Sequence, residues 1–172
     1  MQTFFHSVKE SSSVDEYLTP ASAVRPILPY VFGKRVWCPF DLPDSAFVTT
    51  FAASGIPVLA THVESGGDFF QYAPSAEAYD CIVSNPPFSC RDKVLERLFE
   101  LRKPFAMLLN SSGLFDSRKR FSLFAENGIE LLILRGRVKF TRRSDGKANS
   151  PMFQSWYLCH GMLPKQIVFA DE

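Results

Sequence analysis

The sequence predicts an α/β domain: a doubly wound, mostly parallel sheet with an antiparallel edge strand. Three observations predict it. Short apolar runs alternate along the chain with amphipathic stretches of helical period, the pattern of strands joined by crossover helices. The runs are apolar at successive positions, as in PFAMLLN (104–110) and IELLIL (129–134), which suits strands covered on both faces. Near the end, two apolar runs follow one another with no helix between them, which predicts an antiparallel return at one edge.

The elements follow in order. Residues 1–16, polar from 7 onward, read as a mobile lead-in to a single domain spanning 1–172. Thr19 is placed to cap a helix with Pro20 at its first position, and Pro26 and Pro29 keep that helix short or broken. RVWCP (35–39) reads as a buried strand, and 44–55 as a helix capped by Asp44 and ended by Gly55. PVLATHV (57–63) and YDCIVS (79–84) are strands. Residues 89–103 form an amphipathic helix with Ser89 and Asp92 in capping-box spacing and Val94, Leu95, Leu98, Phe99 and Leu101 on one face. The strand 104–110, the helix 116–128 and the strand 129–134 come next. A basic loop then leads to strands at 153–160 and 166–169.

Composition excludes several classes. The chain is 46% hydrophobic and 22% charged, which argues against disorder and low-complexity architecture. Net charge is +1, so binding to a polyanion has to come from a local patch. Cys38, Cys81, Cys90 and Cys159 form no CxxC pair and have no zinc-type spacing, so no metal site is expected and reduced thiols in the cytoplasm are the simplest reading. No signal peptide and no membrane-length apolar run is visible.

Chemistry concentrates in SNPPFS (84–89), between a strand and a helix. Ligands of open parallel sheets bind beyond the carboxyl ends of the strands, and this loop lies there. Pro86 and Pro87 stiffen it, since each fixes its own φ and restricts the residue before it. The Asn85 side-chain oxygen and a neighbouring carbonyl then form two acceptors at a set separation, matching the two hydrogens of a planar exocyclic amine. Phe88 offers a face for a base, worth about 1–3 kcal/mol by stacking. A second feature is RGRVKFTRRSDGK (135–147), where Arg135, Arg137, Lys139, Arg142, Arg143 and Lys147 face only Asp145. Such a loop suits phosphates. Arg118, Lys119 and Arg120 read mainly as solvated.

DCIVSNPPF (80–88) resembles S-adenosylmethionine-dependent amino-methyltransferases, which carry an (Asp/Asn/Ser)-Pro-Pro-(Tyr/Phe) motif after the fourth strand. In particular it is similar to small phage and prophage DNA adenine-N6 methyltransferases, and the resemblance runs from about Tyr17 to Cys159. It implies a Rossmann-like fold with S-adenosylmethionine as cofactor. The catalytic loop would be Asn85, Pro86, Pro87 and Phe88, which orient the adenine N6 amine towards the sulfonium methyl. Tyr17-Leu18-Thr19-Pro20 resembles the motif at the methionyl carboxylate, implying Tyr17, Thr19 and Pro20 as cofactor contacts. Cys38-Pro39-Phe40-Asp41 stands where the family has Asp-Pro-Phe-x-Gly-x-Gly. The usual Asp is Cys38 and the glycines are missing, so either Asp41 supplies the polar contact in a reshaped loop or cofactor affinity is weak. Glu64 stands where the ribose-binding acid is expected, with His62 as a weaker candidate. Gly67-Asp68-Phe69 resembles the adenine motif, with Asp68 accepting from the amine and Phe69 packing on the ring.

The resemblance also places Arg142, Arg143, Lys147 and Phe153 on the nucleic-acid side. A base buried in a duplex cannot reach the loop, so flipping or a single-stranded substrate is required. DNA is the expected partner and RNA stays open. Specificity would come from residues 135–153, a homodimer or a recognition partner, since no separate target-recognition domain is visible. Two other classes stay open: a methyltransferase acting on a protein glutamine, and a non-catalytic methyltransferase-like subunit that binds nucleic acid.

Overall fold

The computed structural model describes residues 17–143, 146–149 and 151–170. The expected lead-in at 1–16 lies outside the described residues, as do Ser144 and Asp145 within the basic segment and Ser150 beyond it. The architecture is α/β and Rossmann-like. Seven strands form the main sheet: β2 (Val36–Cys38), β3 (Val58–Ala60), β4 (Cys81–Ser84), β5 (Phe105–Asn110), β6 (Glu130–Ile133), β9 (Ser155–His160) and β10 (Ile167–Phe169). Their order is β10-β6-β9-β5-β4-β2-β3, and every pairing is parallel except those of β9 with β5 and β6. The antiparallel strand is therefore interior, and the edge is β10, parallel to β6. This corrects the expected antiparallel edge. β9 is hydrogen-bonded on both sides and its Tyr157, Leu158 and Cys159 are buried, whereas β10 keeps Ile167 and Phe169 exposed, as an outermost strand allows.

Successive strand residues point to opposite faces, and this sorts the core into two layers. Val36, Cys38, Cys81, Val83, Ala106, Leu108, Tyr157 and Cys159 face one way. Trp37, Ile82, Phe105, Met107, Leu109 and Leu158 face the other. The first layer is covered by α1 (Ala21–Val24), the 3₁₀ turn Arg25–Ile27, α2 (Leu28–Val31) and α3 (Ala46–Ala53) through Val24, Ile27, Val31, Phe47 and Phe51. The second is covered by α4 (Arg91–Leu101) and α5 (Arg118–Asn127) through Val94, Leu95, Leu98 and Phe124. The buried Tyr157 hydroxyl donates to the Ala23 carbonyl at 2.8 Å, tying α1 to the sheet.

Several local expectations change. Pro20, not Thr19, caps α1, and Tyr17–Leu18 is a short strand, β1. Pro26 and Pro29 break the helix as expected, leaving two four-residue pieces around the 3₁₀ turn. Ser45, not Asp44, caps α3 and accepts from the Val48 N–H. Residues Phe88–Cys90 form a 3₁₀ turn, so α4 starts at Arg91 and no Ser89 cap forms. The basic segment contains β7 (Phe140–Arg142) and is followed by β8 (Ala148–Asn149), which with β1 make a second sheet in the order β1-β7-β8. Tyr17 pairs with Arg142 and Leu18 with Thr141.

Arg120 is buried, not solvated. Its guanidinium donates to the Leu114 carbonyl at 2.9 Å, to Gly113 O at 2.6 Å, and to Asp92 of α4. Arg91 donates to the carbonyls of Asn110, Ser112 and Gly113. Together the two arginines satisfy the backbone of the loop beyond β5, a demand that any buried loop imposes. Asp80, five residues before Asn85, sits at the opposite end of β4. It accepts from the Arg35 side chain and backbone N–H, which hold its carboxyl well below the usual carboxylate range.

Replacing Arg120 by Ala removes the donor to the Leu114 carbonyl and to Asp92 and leaves the Gly113 carbonyl with Arg91 alone. Arg120→Ala is expected to cost about 2–4 kcal/mol in urea unfolding, and Arg118→Ala on the exposed side of the same helix less than about 0.5 kcal/mol.

Candidate functional site

The order of the main sheet reverses at β2: the chain passes from β2 to β3 on one side and then to β4 on the other. A reversal of this kind opens a crevice at the carboxyl ends of the two central strands. Cys38-Pro39-Phe40-Asp41 and Ser84-Asn85-Pro86-Pro87-Phe88 leave the sheet there. The carboxyl end of β6 and the start of β9 lie on the same edge, because β6 runs parallel to β5 and β9 antiparallel to both. The second sheet joins the group through Tyr17 and Phe140, which pack in the first core layer.

Asn85 is half-buried. Its Nδ2 donates to Thr19 Oγ1 at 3.1 Å across 66 positions of sequence. Its Oδ1 is sealed from solvent and has no hydrogen-bond partner among the described residues. A buried acceptor without a donor is costly, about 1–3 kcal/mol. Pro87 is extended at φ −57° and ψ 136°, and its carbonyl accepts from the Cys90 Sγ at 3.4 Å. The Phe88 ring meets Phe153 edge to face, with centroids 6.1 Å apart. The structure thus gathers Thr19, Asn85, Phe88 and Phe153 from three distant stretches of chain. Arg142, Arg143 and Lys147, exposed on and beside β7, reach the same edge through the pairing of Arg142 with Tyr17.

The expected cofactor residues divide into two groups. Glu64 is exposed in the 3₁₀ turn Val63–Ser65, just past β3, with its N–H bonded to His62 Nδ1. Gly67 brings the next loop hard against β3: a Cβ there would stand 2.7 Å from Thr61 Cβ, so only glycine fits. Asp68 then accepts from the Phe70 N–H at 2.9 Å and from Gln71 Nε2 at 3.1 Å. Its carboxylate keeps acceptor capacity, since each oxygen has two lone pairs. Phe40 is half-buried at the edge. Phe69, by contrast, is a core residue: it is buried, meets Trp37, Phe40 and Phe70, and carries the Arg97 guanidinium over its ring. Its face is not offered to a ligand. Cys38 and Pro39 are buried as well, and burial raises the Cys38 thiol well above its ordinary value.

Asp41 is also turned inward. Its Oδ2 accepts from the Ser84 hydroxyl, Ser45 lies close enough to favour its charged form, and its N–H donates to the Thr61 carbonyl at 3.2 Å. Burial without a cation raises its carboxyl to about 6. Ser84 and Asp41 thereby join the ends of β4 and β2. Sequence reasoning missed Ser84 and also Ser155, whose buried hydroxyl at the start of β9 has no hydrogen-bond partner among the described residues. A small polar residue at one end of an apolar run, the last of β4 and the first of β9, was the available signal.

Among the described residues no group of three metal-ligating side chains occurs, and no helix is long and apolar enough to cross a membrane. An open hollow lined by Glu96, Phe99, Leu123 and Asn127 lies between α4 and α5, on the flank of the sheet. Compared with protein-family models and with curated protein sequences, the chain matches none.

The Asp41 carboxyl binds its proton more tightly in the folded chain than its ordinary value of 3.8 would allow. Its contribution to stability is therefore full below about pH 4 and is lost as pH rises through about 6. The loss is about 2–3 kcal/mol. Urea unfolding of wild type and Asp41→Asn from pH 4 to 8 is expected to show the stability difference shifting in the variant's favour by that amount. A difference independent of pH would mean that the carboxyl titrates as it does in water.

Proposed function

We propose that this protein is an S-adenosylmethionine-dependent amino-methyltransferase acting on an exocyclic amine of a nucleic-acid base, with N6 of adenine in DNA as the favoured target. One observation carries the reading. Asn85 stands at the carboxyl end of a central strand with its amide nitrogen engaged by Thr19 and its buried oxygen unpartnered among the described residues. An incoming N–H would satisfy that oxygen.

The residues act by position. Asn85 Oδ1 and the Pro86 carbonyl accept the two hydrogens of the amine, which draws the nitrogen towards a pyramidal shape and localises its lone pair. Thr19 holds the amide so that its oxygen faces the amine. The prolines keep the two acceptors at a constant separation. Phe88, whose ring meets Phe153 edge to face, supplies the stacking face. The exposed Arg142, Arg143 and Lys147 take the phosphates. S-adenosylmethionine, when bound, supplies the electrophilic methyl group. Glu64, Asp68 and Phe40 fit a role in holding it, whereas the buried Phe69 and the inward Asp41 do not. No strong general base is needed, because the methylated nitrogen is acidic and water takes its proton.

The glycine-free loop after β2 and the inward Asp41 favour a second reading, a non-catalytic methyltransferase-like subunit that binds nucleic acid. Calorimetry with S-adenosylmethionine separates the two: binding supports the enzyme, and its absence at millimolar cofactor supports the subunit.

Asn85→Ala is expected to keep cofactor binding and lose about 10²–10³ in turnover, measured with labelled cofactor on duplex DNA, single-stranded DNA and RNA. Near-normal turnover in the variant would sink the mechanism. Changing Arg142, Arg143 and Lys147 together to Ala is expected to reduce the salt dependence of duplex binding by about 0.9 in log–log slope for each phosphate that is no longer neutralised. An unchanged slope would remove the hairpin from the interface.

A further inference from the structure

The one buried carboxylate at the carboxyl edge is Asp41, among the described residues, and the mechanism above leaves it without a task. It sits between the ends of the two central strands. Ser84, the last residue of β4 and fully buried, gives its hydroxyl proton to Asp41 Oδ2. Ser84 is joined by one peptide bond to Asn85. On the other side, Asp41 lies beside Ser45, which caps α3, and its N–H donates to the Thr61 carbonyl just past β3. A single residue thus links the loop after β2, the start of α3, the end of β3 and the residue before Asn85.

We propose that Asp41 is a positioning residue: as a carboxylate it holds the Ser84 hydroxyl, and through it the Asn85 amide, in the arrangement that receives the amine. The proposal rests on the amino-methyltransferase reading for what Asn85 does, but not for the coupling itself. Ionised, the carboxylate accepts from the Ser84 hydroxyl at Oδ2. Protonated at that oxygen, it becomes a donor there, and the Ser84 hydroxyl has to turn away or find another acceptor. Among the described residues no charged group stands against it to offset the change. The neighbouring titratable groups are Cys38 on β2 and Tyr157 on β9, both buried and held neutral by burial. Ser45 at α3, Ser84 at β4 and the Thr61 carbonyl past β3 complete its polar surroundings. Proton uptake at Asp41 therefore reaches Asn85 through Ser84, and turnover falls on the acid side as the carboxylate is lost.

The test reads the Asn85 side-chain amide by two-dimensional ¹H–¹⁵N NMR on the full chain, with the resonance identified by its loss in Asn85→Asp. In wild type the resonance is expected to titrate with a midpoint near pH 6. Asp41→Asn is expected to abolish the titration. Ser84→Ala is expected to abolish it as well while Asp41 still titrates, which keeps the test decisive if Asp41→Asn fails to fold. An Asn85 resonance that is flat in wild type, or that titrates undiminished in Ser84→Ala, overturns the proposal.

Kinetics add a second readout. Ser84→Ala is expected to lower kcat by about 10–100-fold with cofactor affinity within about twofold. Loss of cofactor affinity with kcat unchanged would make this network a cofactor site and overturn the proposal. If no nucleic acid is methylated but the Asn85 titration and its loss in Ser84→Ala are present, the coupling stands and the amino-methyltransferase reading fails.

Discussion

Strands that are apolar on both faces must be covered twice, and this requirement organises the molecule. Trp37, Ile82, Phe105, Met107 and Leu158 point to one side of the central strands, while Val36, Cys81, Val83, Leu108 and Tyr157 point to the other. Neither set can be left in water, since each large side chain represents roughly 1.5–3 kcal/mol of burial. One layer of helices therefore has to lie on each face. With both faces closed, hydrogen-bonding residues are pushed to the ends of the strands. Arg35 and Asp80 occupy the amino end. Asp41, Ser84 and Asn85 occupy the carboxyl end, beside the crevice that the reversal at β2 creates.

The carboxyl edge is held together by contacts that are long in sequence. The pairing of Tyr17 with Arg142 brings the chain before α1 to the basic hairpin. Asn85 to Thr19, Phe88 to Phe153 and Asp41 to Ser84 each join different strand–loop units. Polar contacts of this kind contribute modestly when made and cost more when broken, because the groups are already out of water. Their main effect is to hold the loop at the end of β4 in one arrangement. Arg91 and Arg120 serve the neighbouring loop in the same way, by donating to its carbonyls.

What was legible in the sequence was local. Asn85-Pro86-Pro87 was readable because proline geometry acts on adjacent residues and the preceding apolar run ends there. The break in the first helix was readable from Pro26 and Pro29 for the same reason. Phe69 was misread because an aromatic ring that fills a core and one that stacks on a ligand look alike in sequence. Arg120 was misread because it stands in the basic run Arg118-Lys119-Arg120, and only the buried carbonyls of another loop draw it inward. The interior position of β9 was not readable either, since hydrophobic period reports which faces are covered and not which strand lies alongside.

By itself the sequence determined the class of the fold, the alternation of strands and helices, and the rigid acceptor loop at the end of β4. All follow from periodicity and backbone restriction within a few residues. Only the tertiary structure decided that Thr19 orients Asn85, that Asp41 turns inward onto Ser84, and that the basic hairpin lies against Tyr17. Each of these depends on the relative placement of strand ends. That placement is set by the packing of the whole sheet, which no local stretch of sequence encodes.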